Sequence, residues 1–212
     1  MAERNLYLER LTPDNCAIVL IDQQTGTMLG VQDFRLDSFR RNVLTLAGAA
    51  KLHKLPTVLT GSYVEGPNGP IMSELLEMFP DAPTIYRPGP IRAWDDPNFV
   101  KAVEGLGRKK LIMAGVTIDV CLMFPVQQAI AAGFEVYAVY DASGCWDQLS
   151  ELTSIMRLVQ MGAIVCNSLA VVADLQSDWR KPTAPGTLAL FKECNPFYDF
   201  LGSNQAANTK SA

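Results

Sequence analysis

Short apolar runs alternate with longer amphipathic stretches along this chain. Cys16-Ala17-Ile18-Val19-Leu20-Ile21 stays apolar until Asp22 ends it, which reads as a strand buried on both faces. From Phe39 to Lys54 the residues Phe39, Val43, Leu46, Ala47 and Ala50 fall on one helical stripe. Thr57 to Thr60 reads as a second strand, Ile71 to Phe79 as a short helix, and Thr84 to Tyr86 as a third strand. Asn98 to Leu106 reads as a helix, with Asp95 or Asp96 near its start to cap it. Lys110 to Ala114 is a fourth strand, and Leu122 to Ala132 a helix stopped by Gly133. Glu135 to Asp141 is a fifth strand, and Gln148 to Met161 a helix stopped by Gly162. Ala163 to Cys166 is a sixth strand, and Ala170 to Trp179 the last helix of the series.

Strands that alternate with helices and lack polar positions predict a parallel sheet covered on both faces. The expected fold class is therefore α/β, a three-layer α-β-α sandwich around a doubly wound, six-stranded parallel sheet. Residues 1–212 are expected to form one domain, with no repeat or low-complexity tract. A proline-rich stretch, Lys181 to Gly186, introduces a C-terminal arm over about 181–212. Leu188, Leu190, Phe191, Phe197, Tyr198 and Phe200 make that arm too apolar to hang free, so it is expected to pack on its own core or on a neighbouring subunit. The small polar residues from about Ser203 predict a frayed end.

Composition narrows the function. The net charge of -4 and the lack of a basic, aromatic-interleaved stripe argue against a nucleic-acid partner. No apolar run approaches the ~20 residues of a membrane span. The N-terminal Met-Ala-Glu-Arg-Asn carries no signal-peptide pattern, so a cytoplasmic location is expected. The five cysteines, Cys16, Cys121, Cys145, Cys166 and Cys194, include no Cys-x-x-Cys pair and read as reduced thiols. His53 is the only histidine and reads as structural, near a helix C-terminus, so a multi-histidine metal site is impossible and no metal is expected. No GxGxxG or Walker sequence occurs, so no cofactor is expected.

Three predicted strands end in polar or reactive residues. Asp22 ends the first, Arg87 lies at the end of the third, and Gly115-Val116-Thr117-Ile118-Asp119-Val120-Cys121 follows the fourth. Parallel α/β sheets bind ligands at that edge. An acid, a cation and a thiol there form a coherent catalytic set. Cys121 is expected at a helix N-terminus, where the dipole stabilises a thiolate. Asp22 would take the thiol proton and return it to a leaving amine, and backbone N–H groups from Thr117 to Cys121 would form an oxyanion hole. The result is acyl transfer through a thioester, without histidine. Gln23, Tyr63, Trp94 and Phe124 are expected to wall the pocket around a small or planar substrate. Pro125 should disturb the first helical turn after Cys121.

Leu20-Ile21-Asp22-Gln23-Gln24, Arg87-Pro88-Gly89-Pro90-Ile91-Arg92-Ala93-Trp94, Ala114-Gly115-Val116 to Cys121 and Asp141-Ala142-Ser143-Gly144 together resemble the isochorismatase-like cysteine hydrolases. The resemblance runs from about Asn15 to Trp179 and is closest to the YcaC-like subgroup. It implies an Asp, Lys and Cys triad, with Arg87 standing at the lysine position. Arg87 cannot shuttle a proton, so its expected role is electrostatic. It also implies a cis peptide between Val116 and Thr117, and a homo-oligomer, an octamer in that subgroup. Metal-binding relatives use an acid and two histidines, which this chain cannot copy. Two other readings remain: a non-catalytic oligomer that binds a metabolite or senses oxidant through a thiol, and a vinyl-ether hydrolase of the isochorismatase type.

Overall fold

The computed structural model describes residues 8–210, with side chains through 204. Six parallel strands, β1 (Cys16–Ile21), β2 (Thr57–Ser62), β3 (Thr84–Arg87), β4 (Lys110–Gly115), β5 (Glu135–Val139) and β6 (Ile164–Cys166), form one sheet in the order β3-β2-β1-β4-β5-β6. The chain leaves β1 in one direction and β4 in the other. The switch point between them is where open α/β sheets bind ligands. In register, Ile21 pairs with Gly115 on one side and with Thr60 on the other.

Helices cover both faces, as the unbroken apolar strands require. Alternate β1 residues serve opposite layers. Cys16, Ile18 and Leu20 pack with α2 (Leu36–Leu52), α3 (Ser73–Met78), α7 (Ser168–Gln176) and α8 (Ala184–Cys194). Ala17, Val19 and Ile21 pack with α4 (Pro97–Gly105), α5 (Met123–Ala131) and α6 (Gln148–Gln160). The Asp96 carboxylate caps α4, accepting from the amides of Asn98 and Phe99. Gly133 and Gly162 end their helices at φ +88° and +90°, a region that favours glycine.

The structure departs from the sequence expectation at several ends. A short helix, α1 (Thr25–Leu29), follows Asp22 where none was expected. β5 stops at Val139, and Tyr140–Ala142 turns away as one 3-10 turn. α7 begins at Ser168 rather than Ala170, because the Asn167 side chain accepts from the Ala170 amide and caps it earlier.

The arm packs on its own core: α8 lies along α2, with Phe191 buried and its ring against Trp179 and Tyr198. A Cβ on Gly48 would come within 2.6 Å of Leu190, so glycine permits this approach. α9 (Phe197–Lys210) keeps a helical backbone past Ser203, correcting the frayed end; its Ala206 and Ala207 favour helix. Cys194 is half-buried beside Asn42. Among the described residues no helix is long and apolar enough to cross a membrane.

Candidate active site

The ends of β1, β3 and β4 bring Asp22, Arg87 and Cys121 together. Asp22 takes a left-handed backbone, φ +55°, immediately after β1. Its amide bonds to the Thr60 carbonyl at 2.8 Å, and its carbonyl accepts from Gln24 at 2.7 Å. This tight reversal holds the carboxylate at the switch point. Aspartate tolerates the left-handed region better than most residues.

Arg87 starts two strands away and spans the end of β2. Its Nε donates to Thr60 Oγ1 at 3.0 Å, and Nη1 donates to the carbonyls of Pro90 at 2.9 Å and Ile91 at 3.0 Å. Nη2 pairs with Asp22 Oδ1. Both side chains are withdrawn from water, at 1% and 0% residue exposure, so the pair acts in a low-dielectric site.

Cys121 lies in a five-residue π turn, Ile118–Leu122, ahead of α5. Pro125 accounts for that. It has no N–H to donate, and α5 begins at Met123, so the proline falls in the first turn, where no intrahelical partner is needed. Gly115 allows the turn to fold back on β1: a Cβ there would stand 3.1 Å from the Ile21 carbonyl and 3.3 Å from the Cys121 carbonyl carbon. The peptide between Val116 and Thr117 is cis. The amides of Ile118, Val120 and Leu122 are taken by the carbonyls of Gly144, Thr117 and Thr117. The Thr117 backbone instead interacts with the Cys121 sulfur and favours its thiolate.

The thiol is not poised as the sequence suggests. Burial pushes Cys121 well above the ordinary thiol range; the nearby Asp22 charge adds to this, against smaller opposing effects of the Thr117 backbone and Arg87. The expected dipole stabilisation at a regular helix N-terminus is corrected, because the residue sits in a wide turn inside the fold. Burial likewise pushes Asp22 up, opposed by the Arg87 guanidinium. Asp22 Oδ2 is buried and has no partner at ordinary hydrogen-bond geometry, while Oδ1 holds Arg87. Arg87 remains charged, so the carboxylate and the sulfur share one negative charge and one proton. Moving that proton from sulfur to Oδ2 leaves the net charge unchanged.

The expected pocket walls fare differently. Phe124 stands in the first turn of α5, with the Arg92 guanidinium 4.5 Å above its ring. Trp94 is placed in packing instead: its ring meets Phe99 and Phe134 edge-on, 5.8 and 6.1 Å between centroids. Gln23 is buried, with Nε2 donating to the Ala142 carbonyl at 2.7 Å. Gln24 is held through Ser62 and Gly69. Tyr63 lies over the Arg87 carbonyl side, lining a hollow of about 290 Å³ with Tyr86 and Pro88. Thr60 and Ser143 were not singled out from sequence. Thr60 carries Arg87, and Ser143 Oγ accepts from the Gly115 amide and donates to the Val139 carbonyl, fixing the end of β4. Their signal was slight: each is an ordinary hydroxyl near the end of an apolar run. Burial at the end of α2, with the Lys181 charge nearby, pushes the His53 pKa down. Among the described residues no cluster of three His, Cys, Asp or Glu side chains could hold a metal ion.

The pattern of the isochorismatase domain matches residues 16–170. The probable hydrolase YcaC of Escherichia coli is 43% identical over 201 residues, covering 95% of this chain and 96% of that one. Isochorismatase domain-containing protein 2 of Bos taurus is 27% identical over 98% of each chain. Among solved structures, YcaC from Pseudomonas aeruginosa, with hexane-2,5-diol and covalent acrylamide, superposes at a TM-score of 0.91 with 42% identity, covering 94% of this chain and 98% of its own. The Escherichia coli YcaC structure, an octameric hydrolase of unknown specificity, superposes at 0.90 with 43% identity, covering 93% and 97%. With the domain pattern spanning all six strands and the likeness running through nearly the whole chain, the protein belongs to the isochorismatase family as a hydrolase of its YcaC-like branch.

Proposed function

We propose that the protein is a cofactor-free cysteine hydrolase of a small amide or related C–N bond. The observation that carries this reading is the buried cluster in which Arg87 holds one oxygen of Asp22 and leaves the other open beside the Cys121 thiol. The thiol proton passes to Asp22, and the sulfur attacks the amide carbonyl carbon. N–H groups of the Thr117 to Cys121 turn that the Gly144 and Thr117 carbonyls do not take receive the developing oxyanion. Protonated Asp22 gives its proton to the amide nitrogen, the C–N bond breaks, and ammonia or an amine leaves a thioester on Cys121. A water then loses a proton to Asp22 and attacks the thioester. The acid departs, and Asp22 returns its proton to the sulfur. Arg87 keeps one charge throughout and offsets the negative charge wherever it sits.

A small-amide pocket also suits the relative solved with covalent acrylamide. The raised pKa of Cys121 weighs against oxidant sensing, which favours a low-pKa, accessible thiol. A thiol nucleophile at the site is not needed for vinyl-ether hydrolysis. The test is ammonia release from a panel of amides, carbamoyl compounds and hydroxamates, with intact-protein mass spectrometry for the acyl adduct. Cys121→Ala should abolish turnover by ~10³-fold or more. Turnover that survives in Cys121→Ala, or iodoacetamide that labels Cys194 ahead of Cys121, would overturn the mechanism.

The working form proposed is a homo-oligomer, as in the octameric relative from Escherichia coli. On α6, Leu149, Leu152, Met156 and Val159 are each more than half exposed and follow 3-4-3 spacing. Such a seam suits helix against helix. Light scattering on the eluted protein should show an assembly that Leu152→Glu with Met156→Glu dissociates; a wild-type monomer would refute it. Five free thiols suit a reducing compartment, the cytoplasm in this reading.

A further inference from the structure

We infer that Arg92 anchors an anion at this site, and that the substrate is a small amide carrying a carboxylate. The inference rests on the cysteine-hydrolase reading for the reacting end only; the anion end stands on its own geometry.

Arg92 follows the two carbonyls, Pro90 and Ile91, that Arg87 Nη1 holds. The guanidinium that pairs with Asp22 therefore also fixes the loop presenting Arg92. The Arg92 guanidinium carbon lies 4.5 Å from the centroid of the Phe124 ring. Phe124 is three residues beyond Cys121, and side chains three apart on a helical path stand ~5–6 Å apart at Cβ. A guanidinium stacked on an aromatic face keeps its N–H edge free for a carboxylate, which it can bind with two parallel hydrogen bonds. The second cation thus rests on the first turn of the helix that follows Cys121.

Two acids of the same segment are committed elsewhere: Asp95 accepts from Gln128, and Asp96 caps α4. Among the described residues no carboxylate forms an ion pair with Arg92, which is exposed; Arg10, Arg108 and Arg157 also lack one, but Arg92 alone of these stacks on the helix that follows Cys121. Arg87 and Asp22 offset one another, so Arg92 is the cation left to meet a charged ligand. A neutral amide would leave it unused.

The test compares two alkylating reagents of nearly equal size, iodoacetate and iodoacetamide, on Cys121 by peptide mapping. The quantity read is the ratio of their rates, because any change in thiol reactivity cancels. Arg92→Gln should lower the iodoacetate-to-iodoacetamide ratio by ~5- to 10-fold, the scale of one partly exposed charged contact. Arg92→Lys should retain part of it. An unchanged ratio in Arg92→Gln, including equal slowing of both reagents, overturns the inference. Calorimetry gives a second readout that needs no reactive sulfur. Succinamate should bind Cys121→Ala at least ~5-fold more tightly than it binds Cys121→Ala with Arg92→Gln. Equal affinity, or succinamate binding no tighter than butyramide, also overturns it. A chain that cleaves neutral amides but shows no ratio change loses the anchor alone. A chain that shows the ratio change but no turnover loses the hydrolase reading alone.

Discussion

Two ion pairs are buried at opposite edges of the same sheet. At the N-terminal edge Lys110 Nζ meets Glu135 at 2.8 Å, Glu9 at 3.1 Å and the Tyr137 hydroxyl at 3.4 Å, so its three donors are all used. Burial works against the Lys110 charge, yet the bonds from Glu135, Glu9 and Tyr137 win and raise its pKa. At the C-terminal edge Arg87 is equally well satisfied, but one buried oxygen of its partner Asp22 has no partner at ordinary hydrogen-bond geometry and faces only weaker interactions with Cys121 and the Ser62 backbone. Burial of charge is therefore common to both. The difference is closure: the first pair is complete within the protein, while the second leaves one acceptor beside a sulfur. An acceptor left buried and unbonded carries a free-energy penalty, so a fold retains one where something else uses it.

Asp22→Asn should break the comparison hardest. It removes the proton carrier, so turnover should fall by ~10²- to 10⁴-fold. It also leaves the Arg87 charge buried without its counter-ion, and urea unfolding should show a loss of ~3–5 kcal/mol. The pH profile carries a further sign. Only ionised Asp22 can accept the thiol proton, so kcat/KM should fall as pH falls through its pKa. Burial, opposed by Arg87, pushes that pKa above the ordinary carboxylate value of 3.8. The acid limb should accordingly lie above the range of a free carboxyl and vanish in any residual Asp22→Asn activity. A wild-type profile flat down to the ordinary carboxyl range would remove Asp22 from the role.

Glu135→Gln sharpens the contrast from the other edge. It takes a charged acceptor from Lys110 but leaves Glu9 and Tyr137, so stability should drop by ~1–3 kcal/mol while turnover stays at the wild-type level. A matching loss of turnover would mean that the two edges are coupled and the distinction between them fails.

Arg87→Lys is the mildest change. The ammonium keeps a charge for Asp22 but cannot reproduce the fork that reaches Thr60, Pro90 and Ile91 together. Turnover should fall by ~10-fold or less, with about 1 kcal/mol of stability lost per bond forgone. Limited proteolysis should cut the 88–92 loop sooner. If turnover drops as far as in Asp22→Asn, the guanidinium shape matters beyond its charge.

Much of this architecture was legible along the chain because parallel strands covered on both faces must be apolar at every position. The central strands announced themselves in that way; β3, Thr84–Arg87, is polar at both ends and partly exposed, and showed less clearly. Asp22 was legible because it ends such a run, and Cys121 because it follows one. The short α1 was not, since Thr25–Leu29 is too brief to show a period. The contacts of the Trp94 ring with Phe99 and Phe134 were not legible, because they depend on where its loop turns in space. Arg92 sits in the same segment and escaped notice, since nothing in the order of residues shows a guanidinium settling on Phe124.

Alternation of runs determined the layers, and the residues at strand ends determined which chemistry could gather at one edge. Whether it gathers was decided in three dimensions. Arg87 reaches Asp22 because its side chain crosses the end of β2, held there by Thr60 Oγ1. Desolvation in the π turn and the neighbouring Asp22 carboxylate push the Cys121 thiol up only once the chain has folded. Residue type sets what a group can donate or accept; its partners and its distance from water, which set its charge, exist only once the chain has closed around it.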